Sequence, residues 1–321
     1  MTVRYFDWRD LPALHRWRHE SVFMDSTLVL TRGPRLLSGA LLSYLAPTTG
    51  IFTGVSDAAD LGHPVIGQVM HFLGSSSAHL TFVTPDGGLE SPALLELLDH
   101  LASLCGERGA LRMLAEVDER TLSYEALRRS GFAIFTRQRI WQLTGQPVGP
   151  AISAGWRAVR SHDLIAIRSL YSNLVPGLVQ QVEPYPNNHP RGVVLRQNSD
   201  LLAFVELKYG PRGIWAQPFV HPDAPDISEQ FVDLFQTIPY RRSRPLYICV
   251  RSYQSWLEPA IEELGAEAGP RQSVMVKHLA VPQKASWAYT MPALEGGHPE
   301  ITAPIRVEEQ QEVYGTAQNN R

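Results

Sequence analysis

Cysteine is scarce in this chain of 321 residues: only Cys105 and Cys249 occur, in separate halves and on apolar stretches. Two such thiols make no disulfide framework, and without spaced Cys/His pairs they argue against a zinc site. Both read as reduced core residues, and no metal is expected. The chain also lacks an uncharged apolar run of the roughly 20 residues that span a bilayer. Its start, MTVRYFDWRD, has neither the basic stretch nor the apolar core of a secretion signal, so the cytoplasm is the expected location. A basic surplus is missing too. With 29 Lys and Arg against 32 Asp and Glu, the net charge is −3, which gives no electrostatic reason for a nucleic-acid or membrane partner. Walker loops, dinucleotide glycine fingerprints and GxSxG elbows are absent.

What is present is an ample apolar content, 44% of residues, enough to fill the cores of two domains. Residues 3–17, VRYFDWRDLPALHRW, share a pattern with 156–170, WRAVRSHDLIAIRSL. In both, an arginine is followed six residues later by Asp-Leu and then by Ala, in the same apolar frame. The interval is far longer than a solenoid period and points to duplication of whole domains.

In the first copy, residues 2–6 predict a strand and Asp10-Leu11-Pro12 a helix start. Thr27–Leu45 predicts a helical region broken at Gly33-Pro34. Strands are expected near Gly50–Val55, Val65–Leu73 and Ala78–Val83. Ser91-Pro92 is a cap followed by proline at the first helical position, and Leu94, Leu97, Leu98, Leu101 and Cys105 form the buried stripe of that helix. Leu111–Leu143 then reads strand, short helix, Gly131-Phe132, strand. The glycine suits the left-handed residue that ends a helix.

Residues 144–154 have linker composition. The second copy, 155–282, repeats the order in shorter form. It has a strand meander over Arg191–Gln197, Leu201–Tyr209 and Ile214–Val220, and a helix over Asp226–Ile238. A strand Leu246–Val250, a helix Ser255–Leu264 and a strand Ser273–Val281 follow. From 283 to 321 the composition is that of a flexible or draped tail, in which Trp287 and Tyr289 are the residues able to dock in a groove.

This order, occurring twice and ending in the first copy in strand, helix, Gly-Phe, strand, resembles the GNAT N-acetyltransferase family. The resemblance covers residues 1–143 and, more weakly, 155–282. It implies an α+β fold with two GNAT-like acyl-CoA N-acyltransferase domains in tandem, each a mixed sheet flanked by helices. It also implies acetyl-CoA as co-substrate, bound where two neighbouring strands splay apart, and a small-molecule amine or peptide amine as acceptor.

On that resemblance, acyl-CoA would lie along the backbone of Leu80, Phe82 and Val83, with its pyrophosphate at Gly87, Gly88, Leu89 and Ser91. The segment VTPDGGLESPALL, 83–95, is slightly shorter than the family loop, lacks its basic residue and carries Asp86 and Glu90. A plain helix-capping turn is the alternative. In the second copy VHPDAPDISEQF, 220–231, has no glycine. The thiolate-protonating tyrosine of many members falls on Leu127 and Ile261, counting back four residues from Gly131 and Gly265. Tyr124, one turn earlier, would substitute, or else is a half-buried structural tyrosine. The base position falls near His79, whose imidazole suits proton abstraction; a surface histidine is the other reading.

Two functions are therefore expected. One is an acyl-CoA-dependent N-acyltransferase with the first domain catalytic. The other is a catalytically degenerate GNAT-fold module for ligand binding or protein interaction.

Overall fold

The repeated pattern at 3–17 and 156–170 is a clasp. Arg4 forks onto Asp10 at 2.6 and 2.7 Å, and Arg157 forks onto Asp163 at 2.7 Å through both nitrogens. Each aspartate also accepts a backbone N–H three residues upstream, from Asp7 at 2.8 Å and Arg160 at 2.9 Å. The conserved spacing thus ties the first strand of each copy to its first helix through charge-assisted bonds. The computed structural model describes residues 3–58, 60–149, 155–185, 190–197, 200–238, 241 and 243–279. All belong to one compact unit, Met1–Pro282; the expected tail lies outside the described residues.

The first copy runs β1 (Val3–Tyr5), α1 (Leu11–Arg16), β2 (Val22–Phe23), α2 (Ser26–Arg32), α3 (Leu36–Leu45) and β3 (Ile51–Ala58). It continues with β4 (His63–Met70), β5 (Ser77–Thr84), α4 (Pro92–Glu107), β6 (Arg112–Asp118), α5 (Leu122–Arg129) and β7 (Ala133–Leu143). The second copy runs β8 (Arg157–Ala158), α6 (Leu164–Leu174), α7 (Gly177–Val182), β9 (Gly192–Gln197), β10 (Asp200–Tyr209) and β11 (Ile214–Val220). It closes with α8 (Ile227–Thr237), β12 (Leu246–Arg251), α9 (Glu258–Glu263) and β13 (Glu267–His278). Both copies start with a strand that leads through a 3-10 turn into a helix, as the repeat requires.

The sequence signals act where expected. Ser91 Oγ accepts the Ala93 N–H, with Pro92 at the helix start. Gly131 and Gly265 hold φ of +83° and +81°, a region costly for residues with a Cβ. Leu97, Leu98 and Leu101 are fully buried, each contributing about 1.5–3 kcal/mol of transfer free energy. Two elements differ from expectation. The predicted helix Ser255–Leu264 is a 3-10 segment, Ser252–Leu257, followed by α9. Pro259 accounts for the break, because it lacks an N–H to give and suits a helix's first turn. The last strand begins at Glu267 rather than Ser273; Gly269 and Pro270 hide its front half from propensity.

The two sheets join edge to edge, in the order β1-β3-β4-β5-β6-β13-β7-β12-β11-β10-β9-β8. Each copy lends its final strand to the other. β13 lies antiparallel to β6, from Gln272 opposite Asp118 to His278 opposite Arg112. β7 lies antiparallel to β12, from Leu143 opposite Leu246 to Gln138 opposite Arg251. β7 and β13 pair with each other at the centre. A side-chain chain crosses this seam: Gln272 Nε2 donates to Asp118, Gln138 Nε2 donates to Gln272 Oε1, and Cys249 Sγ donates to Gln138 Oε1. Cys105 and Cys249 are buried and free, and burial pushes both thiols up to about 12, so neither is a nucleophile at neutral pH. Among the described residues no helix is long and apolar enough to cross a membrane.

Candidate functional site

β5 and β6 are parallel and in register from Ser77 opposite Arg112 to His79 opposite Leu114. Beyond this they diverge. A bulge at this point, where Gln68 faces Phe82 but Val69 faces Leu80, leaves Thr81 as the extra residue of β5 and re-aims the strand. The wedge this opens is where the family resemblance places acyl-CoA. It is filled by the chain itself. Val22 pairs with Val83 and Phe23 with Phe82. The Met24 N–H donates to the Thr81 carbonyl and the Glu116 N–H donates to the Met24 carbonyl, both at 2.9 Å. Met24 is 2% exposed and belongs to the main core.

The edge along Leu80, Phe82 and Val83, expected to carry acyl-CoA, is thereby paired with the chain's own backbone. Leu80 and Val83 are core side chains, and the strand edge meant for a thioester carries β2 and Met24. Backbone pairing was satisfied locally, as buried N–H and C=O groups require. A two-residue strand is too short to leave a periodic trace in the sequence.

The turn expected to hold the pyrophosphate is also engaged internally. Residues Asp86–Glu90 form a 3-10 turn. The Gly87 N–H donates to Asp86 Oδ1, the Gly88 N–H to the Pro85 carbonyl and the Ser91 N–H to the Gly88 carbonyl. Ser91 Oγ is spent on the helix cap and on Asp60. A Cβ on Gly88 would lie 2.8 Å from the Val65 side chain, so close packing explains that glycine. Leu89 is buried in the core. The cavity beside this turn, about 730 Å³, is walled by Val22 and Phe23 and carries Asp86, Glu116, Asp118 and Glu267, with no lysine, arginine or histidine among the described residues of its lining. Such a wall opposes a polyphosphate. These residues do not fit CoA.

His79 and Tyr124 are not brought together. His79 lines a cleft on the other side of the wedge, near Glu116. Tyr124 packs against the core, with the Arg128 guanidinium 5.9 Å from its ring, and lines none of the three cavities described here. The structural reading of Tyr124 is the one the packing supports.

That cleft lies between the two copies. It comprises two adjoining cavities of about 840 and 820 Å³ that share Ser77, His79, Glu116, Glu206 and Lys208. Its second-copy wall begins where β11 and β12 diverge, after Ala216 opposite Ile248. There Gln254 Nε2 donates to the Val220 carbonyl at 3.2 Å, a side chain where the first copy uses a strand. Gln217, Phe219, Arg251 and Tyr253 face the cleft. Arg251, 7% exposed, gives Nη2 to both Glu183 oxygens at 2.9 and 3.0 Å. Burial disfavours its charge, but attraction to Glu183 and neighbouring groups outweighs this and raises its pKa. Lys208 pairs with Glu206 at 3.2 Å. Burial pushes the Tyr171 and Tyr253 hydroxyls upward, and Tyr185 up to about 12, so all three are neutral donors. Sequence reasoning missed this set. The available signal was Arg251 ending the apolar run LYICV, an inward arginine that a buried strand keeps only with a partner.

No family model matches the sequence, and no curated protein does. The solved structures do match. A GCN5-related N-acetyltransferase from Sphaerobacter thermophilus superposes with a TM-score of 0.52 at 14% identity, covering 86% of this chain and 95% of that one. A tandem GNAT protein from the clavulanic acid biosynthesis pathway, without AcCoA, gives 0.49 at 15% identity over 84% and 93%. A putative acetyltransferase from Pyrococcus horikoshii gives 0.47 at 13% identity over 87% and 90%. The fold is the GNAT fold, and the repeated topology makes it a tandem of two GNAT-like units.

Proposed function

We propose that this protein is a GNAT-fold ligand-binding protein whose first acyl-CoA slot is closed and whose working site is the cleft between the copies. One observation carries the reading: Met24 is hydrogen-bonded to both β5 and β6, through Thr81 and Glu116. The acidic lining of the adjoining cavity, with Asp86, Glu116, Asp118 and Glu267 and no basic side chain among its described residues, supports it. The test is titration with acetyl-CoA at millimolar concentration, since a ligand selective for the folded state raises the melting temperature. No shift is expected. A saturable shift with CoA release in the presence of amines would overturn this reading.

A second reading is acyl-CoA-dependent N-acyl transfer from acetyl-CoA to a small amine or peptide amine. The bulge at Thr81, the diverging strands and His79 at the cleft wall favour it. It requires residues 22–24 to leave the wedge, with His79 as base. Under it, His79→Ala lowers turnover and leaves CoA affinity unchanged.

A further inference from the structure

The cleft between the copies holds hydrogen-bond donors without acceptors. Arg251 uses Nη2 on Glu183, while its Nε and Nη1 have no partner although the residue is 7% exposed. Trp215, 2% exposed, has an unpartnered Nε1, and the Tyr185 hydroxyl is unpartnered too. All three residues line the same cavity of about 840 Å³. The carboxylates around them are already engaged: Glu183 by Arg251, Glu206 by Lys208, and Glu116 by the Ser26 N–H at 2.9 Å. The imbalance is therefore one of surplus donors. Buried donors left unpaired are costly, and native interiors leave few of them.

Aromatic rings form part of the same wall. Tyr171 sits 5.4 Å from Tyr185 and 5.6 Å from Phe219, and Phe204 stacks on Phe219 at 5.9 Å. A pocket of aromatic faces with a few convergent polar groups is the usual form of a small-molecule site. A guanidinium with free N–H groups, flanked by neutral indole and phenol donors, selects an anionic oxygen acceptor.

Resting on the ligand-binding reading above, we propose that the cleft binds a small carboxylate with a planar apolar body, its carboxylate on Arg251, Trp215 and Tyr185 and its body against Phe204, Phe219 and Tyr171. The site draws on the second copy for its donors, and first-copy residues His79 and Leu114 close its far side.

The test uses phenylacetate, its neutral counterpart phenylacetamide and the cation phenethylamine, titrated to 20 mM by calorimetry and thermal shift with the full chain. Phenylacetate is expected to bind saturably and the other two at least tenfold more weakly. Trp215→Phe and Tyr185→Phe, which keep the packing and delete one donor each, are expected to weaken phenylacetate several-fold at unchanged melting temperature of the free protein. Arg251→Lys is expected to abolish binding, and its unfolding would leave the two aromatic variants to decide. Preference for the amide or amine, displaced equally by Phe204→Leu, would overturn the ligand class and leave the cleft reading standing. Binding of none of the three probes, or phenylacetate binding indifferent to both aromatic variants, would overturn the proposal, and water in the donors' place would then explain them.

Discussion

Between β5 and β6 the wedge is bridged by main chain, with Met24 bonded to both strands. Between β11 and β12 the corresponding wedge holds the Gln254 side chain on the Val220 carbonyl, and its flank opens to a cleft. The frames around the two wedges match: an Arg–Asp clasp, a parallel strand pair that diverges, and a final strand lent to the other copy. A duplicated frame can therefore carry unlike contents, because the clasps and the exchanged strands recur in both copies whatever fills the wedge. One copy fills its wedge with main chain where the other leaves a cleft at its flank.

The clasps offer the largest break. Asp163 is fully buried and takes Arg157 and Arg196, whereas Asp10 sits under an Arg4 that is 45% exposed. Asp163→Asn is expected to cost about 3 kcal/mol, since breaking a buried pair strands its partner. Asp10→Asn is expected to cost about 1 kcal/mol, because solvent screens the more exposed pair. Denaturant unfolding measures both, and equal losses would dissolve the distinction between the copies.

Met24→Ala comes next. Removing a side chain 2% exposed should cost about 2–4 kcal/mol through lost transfer energy and the cavity left behind. Gln254→Ala, deleting one buried hydrogen bond, should cost about 1–2 kcal/mol. The ordering of the two melting temperatures checks the claim that backbone and side chain fill their wedges unequally.

Acid sharpens the same contrast. The hydrogen bonds of Arg157 and of the Arg160 N–H hold Asp163 well below the usual carboxylate range. Burial pushes Asp10 upward, but Arg4 and the Asp7 N–H bring it below its ordinary value. A carboxylate depressed on folding adds stability above its unfolded pKa of about 3.9 and loses it as pH falls through the folded value. Unfolding free energy should drop as pH falls below about 4, and Asp163→Asn should flatten that slope more than Asp10→Asn.

The smallest effect expected is none. Asp86→Asn with Glu90→Gln removes two charges near the closed turn, and acetyl-CoA should still fail to raise the melting temperature, because the Gly87, Gly88 and Ser91 N–H groups remain engaged. Tight binding by that double variant would return the wedge to acyl-CoA.

Much of the frame was legible in the chain. The Arg-x5-Asp-Leu repeat, Ser91-Pro92, the leucine stripe of α4 and the glycines at 131 and 265 are local signals whose cause lies within one turn or one strand: a cap, a period, a positive φ. The sequence by itself therefore determined the element order, the duplication and the α+β class. Three things were decided by tertiary structure. β2 exists because the bulge at Thr81 leaves an edge that residues 22–24 can pair with, a contact between segments far apart in sequence. The exchange of β7 and β13 depends on the meeting of two copies, and no residue within either strand encodes it. The donors Arg251, Trp215 and Tyr185 come from β12, β11 and the segment after α7, and they converge because the sheet brings those elements around one cleft. Local propensity carries no information about such convergence: of the three only Arg251 stands out on its own element, and each joins the site through the others.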